Sequence, residues 1–352
     1  MSVPLYDLIR DLPLEIEAVA YELNEQQFAP EFTRRTTLVQ LRGGTGAAEA
    51  ESIGVGEDVT YDGALHEPDA LANVDLAGRW TIDSLSKRLD EVDLFPAGDA
   101  GQVAYRDYRR WAFESAALDL ALLQGERSLA SVLGRTPKPV RFVSSTRDTG
   151  LEGWLALYPD LRFKLDPTPE WSDEVFATIA SRGNVDVLDL KGMYVGTPVD
   201  NPPHPELYRK VVEAFPTAWI EDPALTPETE EVLAPHRDRI TWDAPIHSWA
   251  DVEALPFQPR CLNCKPSRFG SLERLFAFYD RCSEHGIELY GGGQSELGVG
   301  RDQIQLLAAF FHPDGPNDTA PVGFNAPQPE PGLPTSPLEP QPARFGFRRE
   351  VV

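Results

Sequence analysis

Residues 14–56 hold three runs in which apolar and polar positions alternate: "LEIEAVAYEL" from Leu14, "RRTTLVQLRG" from Arg34 and "AAEAESIGVG" from Ala47. Period-two alternation fits strands with one buried face, and the short Gly, Pro and polar breaks between the runs predict an antiparallel meander. The period then lengthens. "TIDSLSKRLDEV" at 81–92 and "YRDYRRWAFESAALDLALLQG" at 105–125 read as helices, and the second repeats apolar residues at i, i+3, i+4 and i+7. Strands followed by helices predict a separate α+β capping domain over residues 1–125.

From residue 139 the texture changes again. Short runs rich in β-branched or apolar residues alternate with helical stretches: "VRFVSS", "LRFKLD", "VDVLDLKG", "AWIEDP", "RITWDAP", "RCLNCKP" and "IELYGGG". That rhythm is the mark of parallel βαβ units, and seven of them predict an α/β barrel, a modified TIM barrel of (β/α)7β type, over residues 126–320. No eighth strand is evident after His312. The Pro-rich stretch 321–352 is read as an ordered strap, because Phe324, Leu333, Leu338, Phe345 and Phe347 punctuate it.

Composition narrows the function. A net charge of -24 leaves too few cations to neutralise nucleic-acid phosphates or an anionic membrane, so neither partner is expected. No apolar run reaches the ~20 residues of a bilayer span. The opening "MSVPLYDLIRDLPLEIEAVAYEL" lacks the basic and apolar regions of a signal peptide. With three cysteines as well, a cytoplasmic location is expected. A small-molecule substrate and a homo-oligomer complete the expectation.

The chemistry is concentrated where strands end, since in such barrels those ends line the mouth. Lys164 ends "LRFK", Asp189 "VDVLD", Glu221 "AWIE", Asp243 "RITWD" and Lys265 "CLNCK", with Glu296 after "LYGGGQS". The intervals of 25, 32, 22, 22 and 31 residues each approximate one β/α unit. Three acids on successive strands can offer a hard divalent cation oxygen ligands from one side.

Taken together, "FK", "LD", "WIEDP", "WDAP", "NCKPSRFGS" and "GGGQSELGVGR" resemble the enolase superfamily, in its muconate-lactonising subgroup with the o-succinylbenzoate synthases and N-acylamino-acid racemases. The resemblance covers the barrel and, more loosely, the cap through "TRRTTLVQLRG", "GVGEDV" and "AALDLAL". It implies Asp189, Glu221 and Asp243 as ligands of Mg²⁺, with Mn²⁺ as the alternative, and Lys164 and Lys265 as an acid/base pair on opposite sides of the substrate. Two positions depart from the pattern. The family's Lys-x-Lys is Arg162-Phe-Lys164 here, and Lys191 stands two residues past Asp189 where the family often has Asn.

A proton α to a carboxylate is weakly acidic, and the enediolate left behind carries two negative charges on oxygen. A cation at those oxygens and a lysine made neutral by burial and nearby cations address both difficulties. Arg162, Lys191, Asn263, Arg268 and Glu296 are the candidate substrate-side residues, with Arg301 a further anion reader. Gly291–Gly293 could form an anion nest or simply permit close backbone approach. Residues 26–33 and 54–58 are expected to overhang the mouth.

The pair Cys261 and Cys264, followed by Cys282 and His285, has the spacing of a zinc site. In an extended strand, however, Cys261 and Cys264 point to opposite faces, and no turn residue lies between them. The strand reading is preferred. The leading function is therefore a Mg²⁺-dependent lyase or isomerase with a racemase, epimerase, cycloisomerase or syn-dehydratase outcome. The alternatives are a Schiff-base aldolase using Lys164 or Lys265, and a degenerate barrel serving as a binding module.

Overall fold

The computed structural model describes residues 3–29, 32–44, 52–98, 100–197 and 199–350. The meander is β2 (Ala18–Ala29), β3 (Phe32–Gly43) and β4 (Ser52–Asp58), with β3 central and both neighbours antiparallel. The start of the third predicted run, 47–51, lies outside the described residues. The first run divides: β1 (Pro13–Ile16) breaks from β2 and pairs with β5 (Gly78–Thr81) instead. The helices are α1 (Ile82–Asp90), begun by a Thr81–Ser84 capping box, and α2 (Val103–Gln124). Helix α2 lies directly on β4. A Cβ at Gly56 would stand 2.0 Å from Ala112 O, so only glycine permits this approach.

The barrel wall contains β6 (Ser144–Thr146), β7 (Phe163–Leu165), β8 (Val185–Asp189), β9 (Trp219–Glu221) and β10 (Ile240–Thr241) in one parallel sheet. β11 (Cys261–Cys264) and β12 (Glu288–Gly291) form a parallel pair. The Asn263 N–H donates to Trp242 O at 3.0 Å, carrying the ladder from β10 to β11.

An eighth stave does exist, and it corrects the sequence reading. The Asp318 N–H donates to Gly291 O at 2.8 Å, and the Val143 N–H donates to Asn317 O at 2.8 Å, joining the last strand to the first. The segment is too short and polar to show periodicity. Its stability comes from side-chain bonding instead. Asn317 Oδ1 accepts the Gly291 N–H, and its Nδ2 donates to the carbonyls of Arg141, His312 and Gly315.

The strap runs back across this side. Val140 and Leu338 exchange both backbone hydrogen bonds, and Phe324, Leu338 and Phe347 are buried. Near its end Arg348 pairs with Asp119, which is fully buried on α2.

Candidate active site at the barrel mouth

The ends of β8, β9 and the stave following β9 bring Asp189, Glu221 and Asp243 together. One carboxylate oxygen from each lies within 4.8 Å of the others, and all three residues are 0% exposed. Among the described residues this is the one group of three or more His, Cys, Asp or Glu side chains arranged to hold a metal. The zinc alternative therefore fails: Cys261, Cys264 and Cys282 are free and buried, while the His285 ring bonds Arg281 O in its own helix.

Both lysines implied by the resemblance reach the cluster, each pairing with different carboxylates. Lys164 Nζ donates to Glu221 Oε1 at 2.5 Å and lies 3.2 Å from Asp189 Oδ2 and 3.7 Å from Asp318 Oδ2. Lys265 Nζ lies 2.9 Å from Asp243 Oδ2. Asn263 Nδ2 donates to Glu221 Oε1 at 3.3 Å, and Tyr290 OH donates to Oε2 at 2.5 Å. Arg268 donates to the Asp243 carbonyl and, at 2.8 Å, to its Oδ1, so it braces a carboxylate rather than facing the mouth.

Electrostatics follows from burial and pairing. Burial drives Glu221 up to about 8 against the pull of Lys164. Burial also raises Asp189, but Lys191 and Lys164 outweigh it and hold that carboxyl at about 2. For Asp243, Arg268, Lys265 and Lys164 overcome burial and keep it well below the usual range. Burial lowers Lys164, yet Glu221, Asp189 and Asp318 prevail and leave it a firmly held ammonium.

The other predicted residues divide between the cluster and its surroundings. Arg162 is not part of the cluster: its guanidinium donates to Asp186 Oδ1 and Gly183 O, at the far end of β7 and β8. A strand only three residues long separates top from bottom, so a neighbour two positions back belongs to the barrel floor. Lys191 sits against Asp189, its ammonium on Oδ2 and its N–H donating to Oδ1 at 3.1 Å. Glu296 is buried beside Arg301, 3.4 Å away, and accepts the Gln294 N–H. The glycines serve close approach: a Cβ at Gly292 would meet Asn263 Oδ1 at 2.6 Å, and one at Gly293 would meet Glu296 Oε2 at 2.3 Å.

The expected overhang is half present. Phe28 and Tyr61 line a cavity of about 610 Å³, together with Trp154, Asp166, Lys191, Lys265, Asp318 and Phe324. Positions 30 and 31 lie outside the described residues. Residues 54–58 are strand rather than loop, with Glu57 and Asp58 buried.

Several contributors escaped the sequence reading. Asp222 adopts φ 50° and accepts the N–H groups of Asp243 and Ala244, fixing the stave of the third acid. Tyr194 OH donates to Asp243 Oδ2 at 2.8 Å. Strand alternation hides Asp222, and Tyr194 lies in an irregular loop, so neither carries a positional signal.

Residues 136–326 match the model described as "Domain of unknown function (DUF8230) C-terminal domain", which spans over half the chain, and residues 7–132 match its N-terminal domain. The chain belongs to the DUF8230 family. The DUF8230 protein has the fold of the enolase superfamily, an N-terminal cap on a C-terminal TIM barrel. Its backbone resembles that of a dipeptide epimerase from Methylococcus capsulatus complexed with Mg ion, at TM-score 0.66 and 19% identity over 96% of this chain and 100% of that one. It also resembles a muconate lactonizing enzyme from Pseudomonas fluorescens complexed with muconolactone, at TM-score 0.63 and 17% identity over 87% and 88%. In sequence it is 29% identical over 305 residues to an N-succinylamino acid racemase of Amycolatopsis sp, covering 80% of this chain and 78% of that protein. These relatives and neighbours are enolase-superfamily enzymes, among them racemases, epimerases and cycloisomerases.

Proposed function

We propose that this protein is a Mg²⁺-dependent isomerase that removes and returns a proton α to a carboxylate. Asp189, Glu221 and Asp243 would hold the cation, and Lys164 and Lys265 would move the proton. The supporting observation is the buried convergence of three carboxylates flanked by two ammonium groups that approach different members of the trio. The donor set suits the cation: three clustered carboxylate oxygens match the preference of a hard divalent ion. When bound, such an ion supplies positive charge against the substrate carboxylate as the α-proton leaves.

The chain's own groups perform the remaining work. With the charge of the acids taken up by the cation, one lysine would give up its proton and, as the neutral amine, take the α-proton onto Nζ while the C–H electron pair moves into the substrate carboxylate. The other, as the ammonium, delivers a proton to the opposite face of the α-carbon and inverts it. Tyr290, Asn263 and Arg268 keep the carboxylates aimed so that little reorganisation accompanies reaction.

The relatives favour inversion over elimination, so N-acylated amino acids and dipeptides are the first substrates to test. Incubating a panel of them with the protein and Mg²⁺ in D₂O, and following α-proton exchange by NMR, tests the half-reaction without assuming a product. Exchange with no member of the panel, extended to sugar acids and o-succinylbenzoate-type precursors, overturns the reading.

A further inference from the structure

We propose that Lys191 is a built-in competitor for the cation at Asp189, and that Asp166 is the seat to which its ammonium moves when the cation binds. The inference rests on the metal-dependent reading above, but concerns two residues that the proton transfer does not require.

Lys191 adopts φ 54°, a left-handed conformation disfavoured for a side chain of this kind. The turn lets one residue take both oxygens of Asp189: the ammonium pairs with Oδ2 and the backbone N–H donates to Oδ1. A divalent ion using the same carboxylate meets a like charge at contact range in a buried site, where repulsion is poorly screened. The Lys191 side chain is only 16% exposed, so its displaced charge needs another partner nearby.

Asp166 provides one. Its Oδ2 already lies 3.8 Å from Lys191 Nζ and is anchored from the other side by Arg147 Nε at 3.1 Å. Its Oδ1 is buried and has no hydrogen-bond partner, although the residue is only 9% exposed. An unsatisfied carboxylate oxygen costs free energy unless some state of the protein uses it. Transfer of the ammonium from Asp189 to Asp166 frees a metal ligand and satisfies that oxygen in one movement.

The test is calorimetric titration of Mg²⁺ into the wild-type protein, K191M, D166N and the double variant at one pH and ionic strength, with thermal unfolding as the folding control. K191M is expected to bind at least about tenfold more tightly, because the competitor is gone. D166N is expected to bind several-fold more weakly, because the displaced ammonium has no seat. The double variant is expected to match K191M, since an empty seat then has nothing to receive. K191Q is the substitute if K191M does not fold, with the same direction expected.

Tighter binding by K191M, including binding seen only in that variant, supports the proposal. Unchanged or weaker binding by K191M overturns it, as does a D166N penalty of equal size in both backgrounds, which would mark Asp166 as a distant electrostatic contributor. Wild-type binding with no gain in K191M overturns this proposal alone. Absence of binding in every variant overturns the metal-dependent reading with it.

Discussion

Glu57, on the last strand of the cap meander, accepts the backbone N–H of Gly300 in the barrel at 2.9 Å. The same carboxylate takes the N–H groups of Leu297 and Gly298 and the hydroxyl of Thr36. A single buried side chain from one domain thus caps the start of the helix Val299–Phe311 in the other, which follows the Glu296 loop. E57Q keeps the shape and removes the charge that strengthens these bonds, so a loss of about 2 kcal/mol is expected. Chemical denaturation measures the loss, and hydrogen exchange localised to 294–300 should rise with it.

Lys164 and Lys265 approach the acidic trio from different members, Lys164 at Glu221 and Lys265 at Asp243. K164A and K265A are each expected to cut α-proton exchange by about 10³, the scale of a lost general acid or base. Each variant should spare exchange on one substrate enantiomer more than on the other. NMR of both enantiomers in D₂O provides the check. Equal loss on both enantiomers in both variants would argue against the two-sided arrangement.

His312 is buried, its Nδ1 bonded to Asn317 Oδ1 and its Nε2 without a partner; burial lowers its pKa to about 4. The folded protein therefore resists a proton that the unfolded chain accepts near ~6.5. Stability contributed by the neutral ring is complete above that value and declines as pH falls from about 6.5 toward 4. Between pH 7 and 5 the loss should be about 2 kcal/mol. Urea unfolding of wild-type protein and H312Q at the two pH values isolates the term, because the other titrating groups are common to both.

Arg348 supplies the cation opposite Asp119, a fully buried carboxylate in the C-terminal part of α2 that also accepts the Phe347 and Val55 N–H groups. R348A leaves that charge without its counter-ion, and a cost of about 3 kcal/mol or more is expected. D119N/R348A should recover part of it. A double-mutant cycle on denaturation midpoints reads the coupling.

The legible parts of this molecule are those in which a physical period is long enough to register. The alternation of β3 and the i, i+3, i+4, i+7 stripe of α2 are visible in the bare chain. So is the spacing of Asp189, Glu221 and Asp243, because each β/α unit imposes a similar length. The eighth stave stayed hidden since Asn317–Asp318 is held by carboxamide hydrogen bonds, a tertiary arrangement with no local pattern. Arg162 misled for a related reason: alternation gives the face of a strand but not its height along the barrel. Lys191 was visible as a position beside Asp189, but its pairing with both oxygens of that carboxylate, like the role of Asp222, depends on a positive φ angle that the bare chain does not display.

The cap is bolted down on one flank. Arg34, 1% exposed, donates to Gln294 O and Ser295 O below it while holding Val59 O and Thr60 O above, next to the anchorage of Glu57. Phe28 and the chain at 324–327 wall the same cavity that Lys191 and Lys265 line. The proline-rich C-terminal segment thereby becomes a doorpost, and its replacement would change which molecules are admitted while leaving the reacting groups intact.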